Sequence, residues 1–384
     1  MGKKIIQAMG LGMLIMGAVH SPGEAAAASA KVQKISLPAI KVYLNNSQIT
    51  SSVGYPSLVN GTVMVPLDGF YVRGGEVTYD KGRQTITIVN VFTKGSIKVG
   101  SKNAVVNGKK VTYAAAPQQI NKQLYIPLRF VSDAIGGALK WDAASRQAFI
   151  SYSEYTGEGR TRKDAYFLNG VTGTLYKRDE AGVVHSLGAT TAKLDPYFIS
   201  GAQVTHVRIS DEADLVTIQY SYGEPSINLD IIRLFVNKGV IMRQAKVHYW
   251  QYAPLEELKV YEGNAVMNDG QSFRLIAPDG SVKQTWNIAK LAGTPDVSYS
   301  IEAIGENYVL ARSSDEGMLT LIDTGANRAV LLYKEFGINP LDMAGFKYDG
   351  IKLTGTGGDP SELEFEFTSG KKESKTFTYR LGTE

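Results

Sequence analysis

One stretch of the sequence occurs twice, and this repeat constrains the fold more than any other feature. Both copies carry a proline, a Gly-Gly pair, an aromatic-Asp pair and an Arg-Gln pair: Pro66, Gly74-Gly75, Tyr79-Asp80 and Arg83-Gln84, then Pro127, Gly136-Gly137, Trp141-Asp142 and Arg146-Gln147. The offset grows from 61 to 63 residues along the repeat, as changes of turn length would produce in a duplicated unit. Because the copies share few residue types that perform catalysis, the repeat favours scaffolding or binding.

Each copy is predicted to begin and end with a hairpin. In the second copy, Asn107-Gly108 lies between strand-like residues, and both central residues of a type I′ turn need a positive φ. Asn45-Asn46 takes the same place in the first copy. A closing hairpin is predicted over residues 139–142 and 147–150.

A short helix is predicted to begin at Pro127, where a missing N–H costs nothing. Leu128, Val131 and Ile135 fall on one helical face. Gly136 is expected to end the helix in the left-handed conformation. Each copy is therefore predicted to be a small α+β unit of ββ-α-ββ order.

Residues 38–152 resemble the copper amine oxidase-like N-terminal domain, also called the stalk domain, with repeats at about 38–90 and 97–152. The string Pro-Leu-Arg-Phe-Val-Ser-Asp-Ala-Ile-Gly-Gly at 127–137 carries the resemblance, together with Trp141-Asp142.

The first copy departs from this pattern at Asp68-Gly69, where an arginine and a bulky apolar residue are expected. The resemblance implies a non-catalytic exported module of a kind found in cell-surface proteins of Gram-positive bacteria. It does not imply an oxidase.

Residues 1–30 have the pattern of a secretory signal peptide. Lys3 and Lys4 precede a mostly apolar stretch at 5–19, and small residues follow at 25–30. Fifteen helical residues would span only about 22 Å, less than the roughly 30 Å of a bilayer core. We therefore expect a cleaved signal, a mature form without a transmembrane segment, and a secreted, cell-surface or cell-wall location.

The absence of cysteine limits the chemistry of the mature chain, and its charge differs between the N-terminal and C-terminal parts. It has no cysteine, which excludes disulfides, thiolate metal sites and thiol nucleophiles. Residues 31–153 hold 15 Lys and Arg against 5 Asp and Glu, whereas residues 154–384 hold 24 against 31. This change of sign predicts a linker at 153–164 and a separate β-rich domain at 165–384.

The β-rich domain is predicted to be a small or degenerate β-propeller. Groups of strands recur about every 40 residues, the period of a four-stranded blade: near 165–200, 201–250, 255–296, 297–336 and 345–382. A β-sandwich is the alternative fold. The last strand, at 375–380, could close a propeller ring against the first.

The sequence predicts no catalytic, cofactor-binding or metal-binding residues. The cofactor motif of copper amine oxidases, Asn-Tyr-Asp/Glu-Tyr, has its nearest counterpart in Asn307-Tyr308-Val309-Leu310, which lacks the last two residues. His185, His206 and His248 lie far apart and are interpreted as scattered surface or hairpin residues. The glycines of 355–358 precede Asp359-Pro360 and predict a surface turn rather than a phosphate loop.

Three polar or aromatic clusters were weighed as sites. The acidic group Asp211, Glu212 and Asp214 is predicted to form a hairpin turn. Glu362, Glu364 and Glu366 alternate with apolar residues, which predicts an acidic outer face on a half-buried strand. The aromatic stretch 248–252 is predicted to pack in the core or between blades.

The leading hypothesis is an exported, non-enzymatic surface protein. Its basic N-terminal module would associate with an anionic cell-wall polymer, and its β domain would bind a surface partner. The first expectation is based on five lysines of that module: Lys94, Lys98, Lys102, Lys109 and Lys110. Nucleic acid is not expected as a partner of an exported chain. The alternatives are a carbohydrate-active enzyme or glycan sensor using the β domain, and an assembly factor with a broad apolar patch.

Overall fold

The computed structural model describes residues 39–49, 54–68, 72, 74–159, 162–195, 201–224, 227–251, 254, 257–343, 345 and 348–382. From Ala39 onward the chain forms one compact unit. This unit is mostly β, with many small sheets. None of the described helices has the length or the apolar character needed to cross a membrane.

The described residues of the N-terminal region form thirteen strands and one helix: β1 (Lys41–Leu44), β2 (Ser47–Gln48), β3 (Ser57–Val59), β4 (Thr62–Pro66), β5 (Glu76–Asp80), β6 (Thr85–Val89), β7 (Lys94–Lys98), β8 (Asn103–Val106), β9 (Lys109–Thr112), β10 (Gln118–Ile120), β11 (Gln123–Pro127), α1 (Leu128–Ala134), β12 (Ala138–Asp142) and β13 (Gln147–Ser151). Three sheets result, in the strand orders β12-β13-β1-β2, β10-β11-β4-β3 and β5-β6-β7-β8-β9.

Each of these sheets combines strands from both copies of the repeat. The closing hairpin of the first copy, β5-β6, pairs with β7 at the start of the second, and β13 of the second copy pairs in parallel with β1 of the first. In the remaining sheet, β4 and β11 pair with each other, with Val65 opposite Ile126. The shared core includes Val42, Ile86, Ile97 and Phe130. Short hairpins of this size bury little apolar surface alone, so pairing between the copies completes the fold.

The helix α1 occupies the place predicted in the second copy, one residue later than expected. Pro127 ends β11 with an extended ψ of 127° and precedes the helix instead of beginning it. Gly136 has a φ of 69°, the left-handed conformation expected after a helix end. A Cβ on Gly95 of β7 would lie 2.5 Å from Cβ of Ala134, so only glycine lets the helix approach the sheet this closely.

In the first copy the corresponding helix would include residues 69–71 and 73, which lie outside the described residues. The ββ-α-ββ unit therefore stays a prediction for that copy.

The C-terminal region forms five antiparallel sheets. Sheet I contains β14 (Tyr155–Gly157), β15 (Ala165–Asn169), β16 (Thr174–Arg178) and β17 (Val184–Ala189); sheet II contains β18 (Gln203–Arg208), β19 (Ala213–Tyr222), β20 (Asn228–Asn237) and β21 (Val240–Trp250); sheet III contains β22 (Val260–Tyr261), β23 (Asn264–Asn268), β24 (Ser272–Ile276) and β25 (Val282–Asn287); sheet IV contains β26 (Tyr299–Gly305), β27 (Tyr308–Ser313), β28 (Leu319–Asp323) and β29 (Arg328–Leu331); sheet V contains β30 (Ile351–Thr356), β31 (Glu362–Thr368) and β32 (Ser374–Arg380). Two short helices follow sheets III and IV, α2 (Ile288–Leu291) and α3 (Leu332–Glu335), and a 3₁₀ turn spans Pro340–Asp342.

Each sheet shares an apolar core with the next sheet along the chain. Tyr166 and Ile232 belong to the core between sheets I and II, and Phe235 and Met267 to the core between sheets II and III. Separate cores join sheets III and IV and sheets IV and V. Among the described residues, these cores connect only consecutive sheets.

The last strand does not have the role proposed from the sequence. β32 pairs only with β31 among the described strands, so it closes no ring against the first strand of the domain. The outer side of sheet V is polar, and a polar surface can end a series of sheets in contact with solvent.

The predicted linker at 153–164 contains β14, which is the edge strand of sheet I. Phe92 packs edge-on against Tyr155 and Tyr176, and Val91 shares a small core with Phe167. The N-terminal sheets and sheet I are therefore joined by packed side chains at this boundary.

Buried polar side chains bind the main chain of a neighbouring sheet at several junctions. Arg178 donates to the carbonyl of Val91 at 2.8 Å. Arg233 of sheet II donates to the carbonyl of Val266 in sheet III, also at 2.8 Å. Between sheets III and IV, the amide of Asn268 donates to the carbonyl of Tyr299 at 2.7 Å.

Arg312 joins sheets IV and V and is only 1% exposed. Its guanidinium donates to the carbonyl of Ile351 at 2.9 Å and to the carboxylate of Asp349 at 2.6 Å, and it pairs with Glu302. The ring of Tyr348 lies 4.6 Å from the guanidinium carbon. Burial alone lowers the pKa of Arg312, but the bond to Glu302 and the charge of Asp349 raise that pKa above its ordinary value.

We predict that Arg312→Met lowers the free energy of unfolding by about 3–5 kcal/mol, because it leaves the carboxylates of Asp349 and Glu302 without their cation. Urea unfolding followed by circular dichroism measures the change. Arg83→Met is the control, since that side chain is 87% exposed and its ion pair is 3.8 Å long. Equal stability of the two variants would show that the Arg312 contacts do not hold sheets IV and V together.

Candidate functional site

The structure brings three of the five predicted lysines onto the outer face of one sheet. In the sheet β5–β9, Ile86, Ile97 and Ala104 point into the core. The alternate residues point outward, and these include Lys94, Lys98 and Lys110. We call these three residues the lysine face.

The lysine face lies on a polar surface rich in hydroxyl groups. Lys94 and Lys98 are four residues apart on β7, so their backbones are about 13 Å apart at ~3.3 Å per residue. Thr87, Ser96 and Thr112 also point outward on this sheet. None of the three lysines forms an ion pair with a described residue, so their charges remain available to a partner.

The other two lysines lie elsewhere. Lys102 precedes β8 in a bend, and Lys109 lies opposite Val106, on the row that faces the core. The sequence could not distinguish these two lysines from the three of the lysine face, because strand register determines which side chains share a face of the sheet.

Each histidine among the described residues pairs with its own carboxylate. Nε2 of His185 lies 2.8 Å from Asp179, Nδ1 of His206 lies 2.7 Å from Glu158, and Nδ1 of His248 lies 2.7 Å from Asp230. Over the described ranges, no group of three or more His, Asp or Glu residues is arranged to hold a metal ion. The surface interpretation is wrong for His206, whose side chain is 9% exposed.

His206 belongs to a network of ion pairs between sheets I and II. We call it the junction network; its titratable members are Glu158, Asp164, Lys177, His206, Arg208 and Asp214. The ammonium of Lys177 bridges the carboxylates of Asp164 and Asp214 at 3.1 and 2.7 Å. The hydroxyl of Tyr166 also donates to Asp214, at 2.6 Å.

The pKa values within the junction network favour ion pairs. The hydrogen bond with Glu158 raises the pKa of His206 above its ordinary value. Burial opposes ionisation of Asp164, but the bond to Lys177 and the surrounding positive charges hold the pKa of this carboxyl below its usual range. A general acid for glycoside cleavage needs a raised pKa, so Asp164 does not fit that role.

The prediction for Asp214 is wrong. Asp211 and Glu212 lie in the turn between β18 and β19, as expected, but Asp214 is in β19 and is 4% exposed. Its side chain is buried because Lys177 and Tyr166, which are distant in sequence, contact it from sheet I.

The second acidic group is arranged as predicted. Leu363, Phe365 and Phe367 are buried in the core of sheet V, and the alternating glutamates face outward. Arg380 pairs with Glu362 across the sheet at 2.6 Å. Gly355 and Thr356 are the last residues of β30, so the turn predicted at 355–358 begins later, at Gly357, and runs to residue 361 before β31.

The aromatic stretch 248–252 divides between core and surface. Tyr249 is fully buried, as predicted, whereas His248 and Trp250 on the opposite face are exposed. Tyr252 lies outside the described residues. The core-packing interpretation is therefore wrong for His248 and Trp250, although strand alternation already placed them opposite Tyr249.

An apolar groove of about 540 Å³ lies in the N-terminal region. Leu58 and Trp141 are exposed among its lining residues, at 50% and 41%. It is the feature closest to the apolar patch that an assembly factor would need.

We predict that His206 stabilises the fold most at mildly acidic pH. Because its pKa is raised in the folded state, its contribution is fully present below the unfolded value of about 6.5 and is lost as pH rises through the folded value. The difference in unfolding free energy between the wild type and His206→Gln should shrink as pH rises, when measured by urea unfolding. His185→Gln is the control for an exposed pair, and a difference for His206→Gln that does not vary with pH would contradict the prediction.

Comparisons with known proteins give limited matches. No curated protein matches the sequence. Similar solved structures include the WD40 domain of SCAP from fission yeast, with 9% identity, a TM-score of 0.23, and coverage of 83% of this chain and 65% of that one. A catalytically inactive virginiamycin B lyase from Staphylococcus aureus, with quinupristin, has 9% identity, a TM-score of 0.23, and coverage of 80% and 87%. AztD from Citrobacter koseri has 11% identity, a TM-score of 0.22, and coverage of 68% and 86%.

At such low TM-scores these likenesses carry no argument about fold or function. The family comparison is more specific, and it matches the N-terminal but not the catalytic part of copper amine oxidases. Residues 43–150 match the family model described as the copper amine oxidase N-terminal domain, and this part of the chain is a domain of that family.

Proposed function

We propose that this protein is an exported, non-enzymatic component of the cell surface or cell wall. In this proposal the N-terminal domain binds an anionic wall polymer through the lysine face, and sheets I to V bind a surface partner. The observation that carries the proposal is the set of three exposed lysines on the outer face of one sheet, none of which forms an ion pair with a described residue.

Electrostatics supports this role for the lysine face. An excess of ten positive charges over residues 31–153 raises the local concentration of polyanions. The outer face of this sheet presents Lys94, Lys98 and Lys110 together, and the hydroxyl groups on the same face can donate hydrogen bonds to phosphate or carboxylate oxygens. Attraction of this kind weakens with salt, since the Debye length is only about 10 Å at 0.1 M.

The proposed architecture extends the two sequence predictions. We take the N-terminal domain to be a duplicated ββ-α-ββ stalk unit, and sheets I to V to be blades of a degenerate propeller. The strand order supports this view, because sheets I to IV are each four-stranded antiparallel meanders that follow one another along the chain. Secretion rests on the signal-like residues 1–30.

A non-enzymatic role is supported by the state of the buried carboxylates. Asp214 and Asp349 are paired with the cations of Lys177 and Arg312. The pKa of Asp164 is held below its usual range, which makes this carboxyl a poor proton donor. The match to the N-terminal domain, rather than to the catalytic part of an amine oxidase, points the same way.

We predict that the mature protein co-sediments with purified Gram-positive cell walls at low salt and is released at high salt. The triple variant Lys94→Gln, Lys98→Gln and Lys110→Gln should bind on the order of 100-fold more weakly, if each lysine contributes roughly 1 kcal/mol near an anionic surface. Wall-binding isotherms at low salt measure this ratio.

A triple variant with the same change of charge is the control: Lys283→Gln, Lys371→Gln and Lys375→Gln, in sheets III and V. It should bind as the wild type does. Equal loss in both triple variants would show that only total charge matters, and no sedimentation of the wild type at low salt would remove the proposal.

A further inference from the structure

A cluster of polar and aromatic side chains lies at one end of sheet II, apart from the lysine face. Residues paired across antiparallel strands point to the same side of a sheet. One such row contains Tyr220, Asp230 and His248, and the next contains Tyr222, Asn228 and Trp250. The six side chains therefore share one face at the ends of β19, β20 and β21.

Asp230 is the centre of this cluster and is almost fully buried. Its carboxylate accepts hydrogen bonds from Nδ1 of His248 at 2.7 Å, from the hydroxyl of Tyr220 at 2.8 Å, and from Nζ of Lys246 at 2.7 Å. Burial opposes ionisation of Asp230, but these donors hold its pKa below the ordinary value. The cluster is therefore a fixed arrangement built around a buried anion.

This arrangement orients the imidazole of His248. Because the Asp230 oxygen is an acceptor, Nδ1 must carry the hydrogen, and in the neutral ring Nε2 is then an acceptor. Nε2 makes no hydrogen bond with a described residue, and the His248 side chain is 47% exposed. The result is a fixed acceptor available to a hydroxyl group of a ligand.

Aromatic rings adjoin this acceptor. The ring of Tyr222 lies 6.3 Å from that of His248, and Trp250 is 54% exposed in the neighbouring row. Exposed Trp and Tyr rings combine an apolar face with a polar tip, which suits ligands that have both apolar C–H faces and hydroxyl groups.

Residues 190–193 contact the neighbouring part of this face. Thr190 and Thr191 bind Oε1 of Gln244, and the carbonyl of Lys193 accepts from Lys246. These contacts are made toward the middle of β21, whereas His248 and Trp250, nearer its end, are 47% and 54% exposed.

We propose that the Tyr222, His248 and Trp250 cluster is a binding site for a neutral pyranose oligosaccharide. The aromatic rings stack against the C–H face of a sugar ring, and Nε2 of His248 accepts a hydrogen bond from a sugar hydroxyl. A neutral sugar fits better than an anionic one, because the ammonium of Lys246 is already engaged by Asp230. The site is independent of the lysine face, whose proposed ligand is anionic.

Isothermal titration calorimetry of the mature protein with chitotetraose and cellotetraose tests this site. We expect binding of at least one of the two, weakened about tenfold in Trp250→Ala, since this change removes the exposed ring that stacks against the sugar. His248→Phe keeps an aromatic ring but removes the acceptor, and it should also weaken binding. The control is Trp141→Ala, which removes an exposed tryptophan of the N-terminal domain and should bind as the wild type does.

The proposal is overturned if neither sugar gives a heat of binding, or if Trp250→Ala binds with unchanged affinity. Equal weakening in Trp250→Ala and Trp141→Ala would equally overturn it, because it would place the sugar elsewhere. The triple variant of the lysine face should bind the sugar normally, so failure of wall binding and failure of this site are separate outcomes.

Discussion

The C-terminal part of this protein depends on buried polar side chains that bind the main chain of a neighbouring sheet. Arg233 and Arg312 each donate to carbonyl groups across a junction, and Asn268 does so between sheets III and IV. Small sheets could slide over apolar cores, because hydrophobic contact is not directional. A guanidinium surrounded by carbonyls and carboxylates fixes one position, since any shift would leave buried donors unsatisfied.

The requirement that buried polar groups be satisfied also distinguishes charges that stabilise the fold from charges that are available for binding. In the junction network and around Arg312, each buried ion has a partner within the fold. The lysine face and the imidazole of His248 differ, because they present a charge or an acceptor outward from a rigid strand. Both proposed sites are therefore on strands whose opposite faces are held by packed cores, which limits the entropy lost on binding.

Much of the fold could be predicted because local signals agree with it. The alternation at Glu362–Glu366 correctly predicted a half-buried strand, and Pro127 and Gly136 bracketed the helix α1 to within one residue. Four of the five predicted groups of strands each contain the strands of one sheet, while sheet I also takes β14 from the predicted linker. The errors at Asp214 and His206 have one cause: contacts with these side chains come from another sheet or its flanking residues, and pairing between distant segments leaves no periodic signal in the sequence.

The parallel pairing of β1 with β13 also determines how the N-terminal domain would respond to tension. Lys41 lies opposite Gln147 and Leu44 lies opposite Ile150, so the domain begins and ends on adjacent strands that run in the same direction. A force pulling Lys41 and Ser151 apart would act along these strands and load their hydrogen bonds together in shear. A hairpin pulled from one end opens one bond after another, whereas this geometry requires the bonds to break at once.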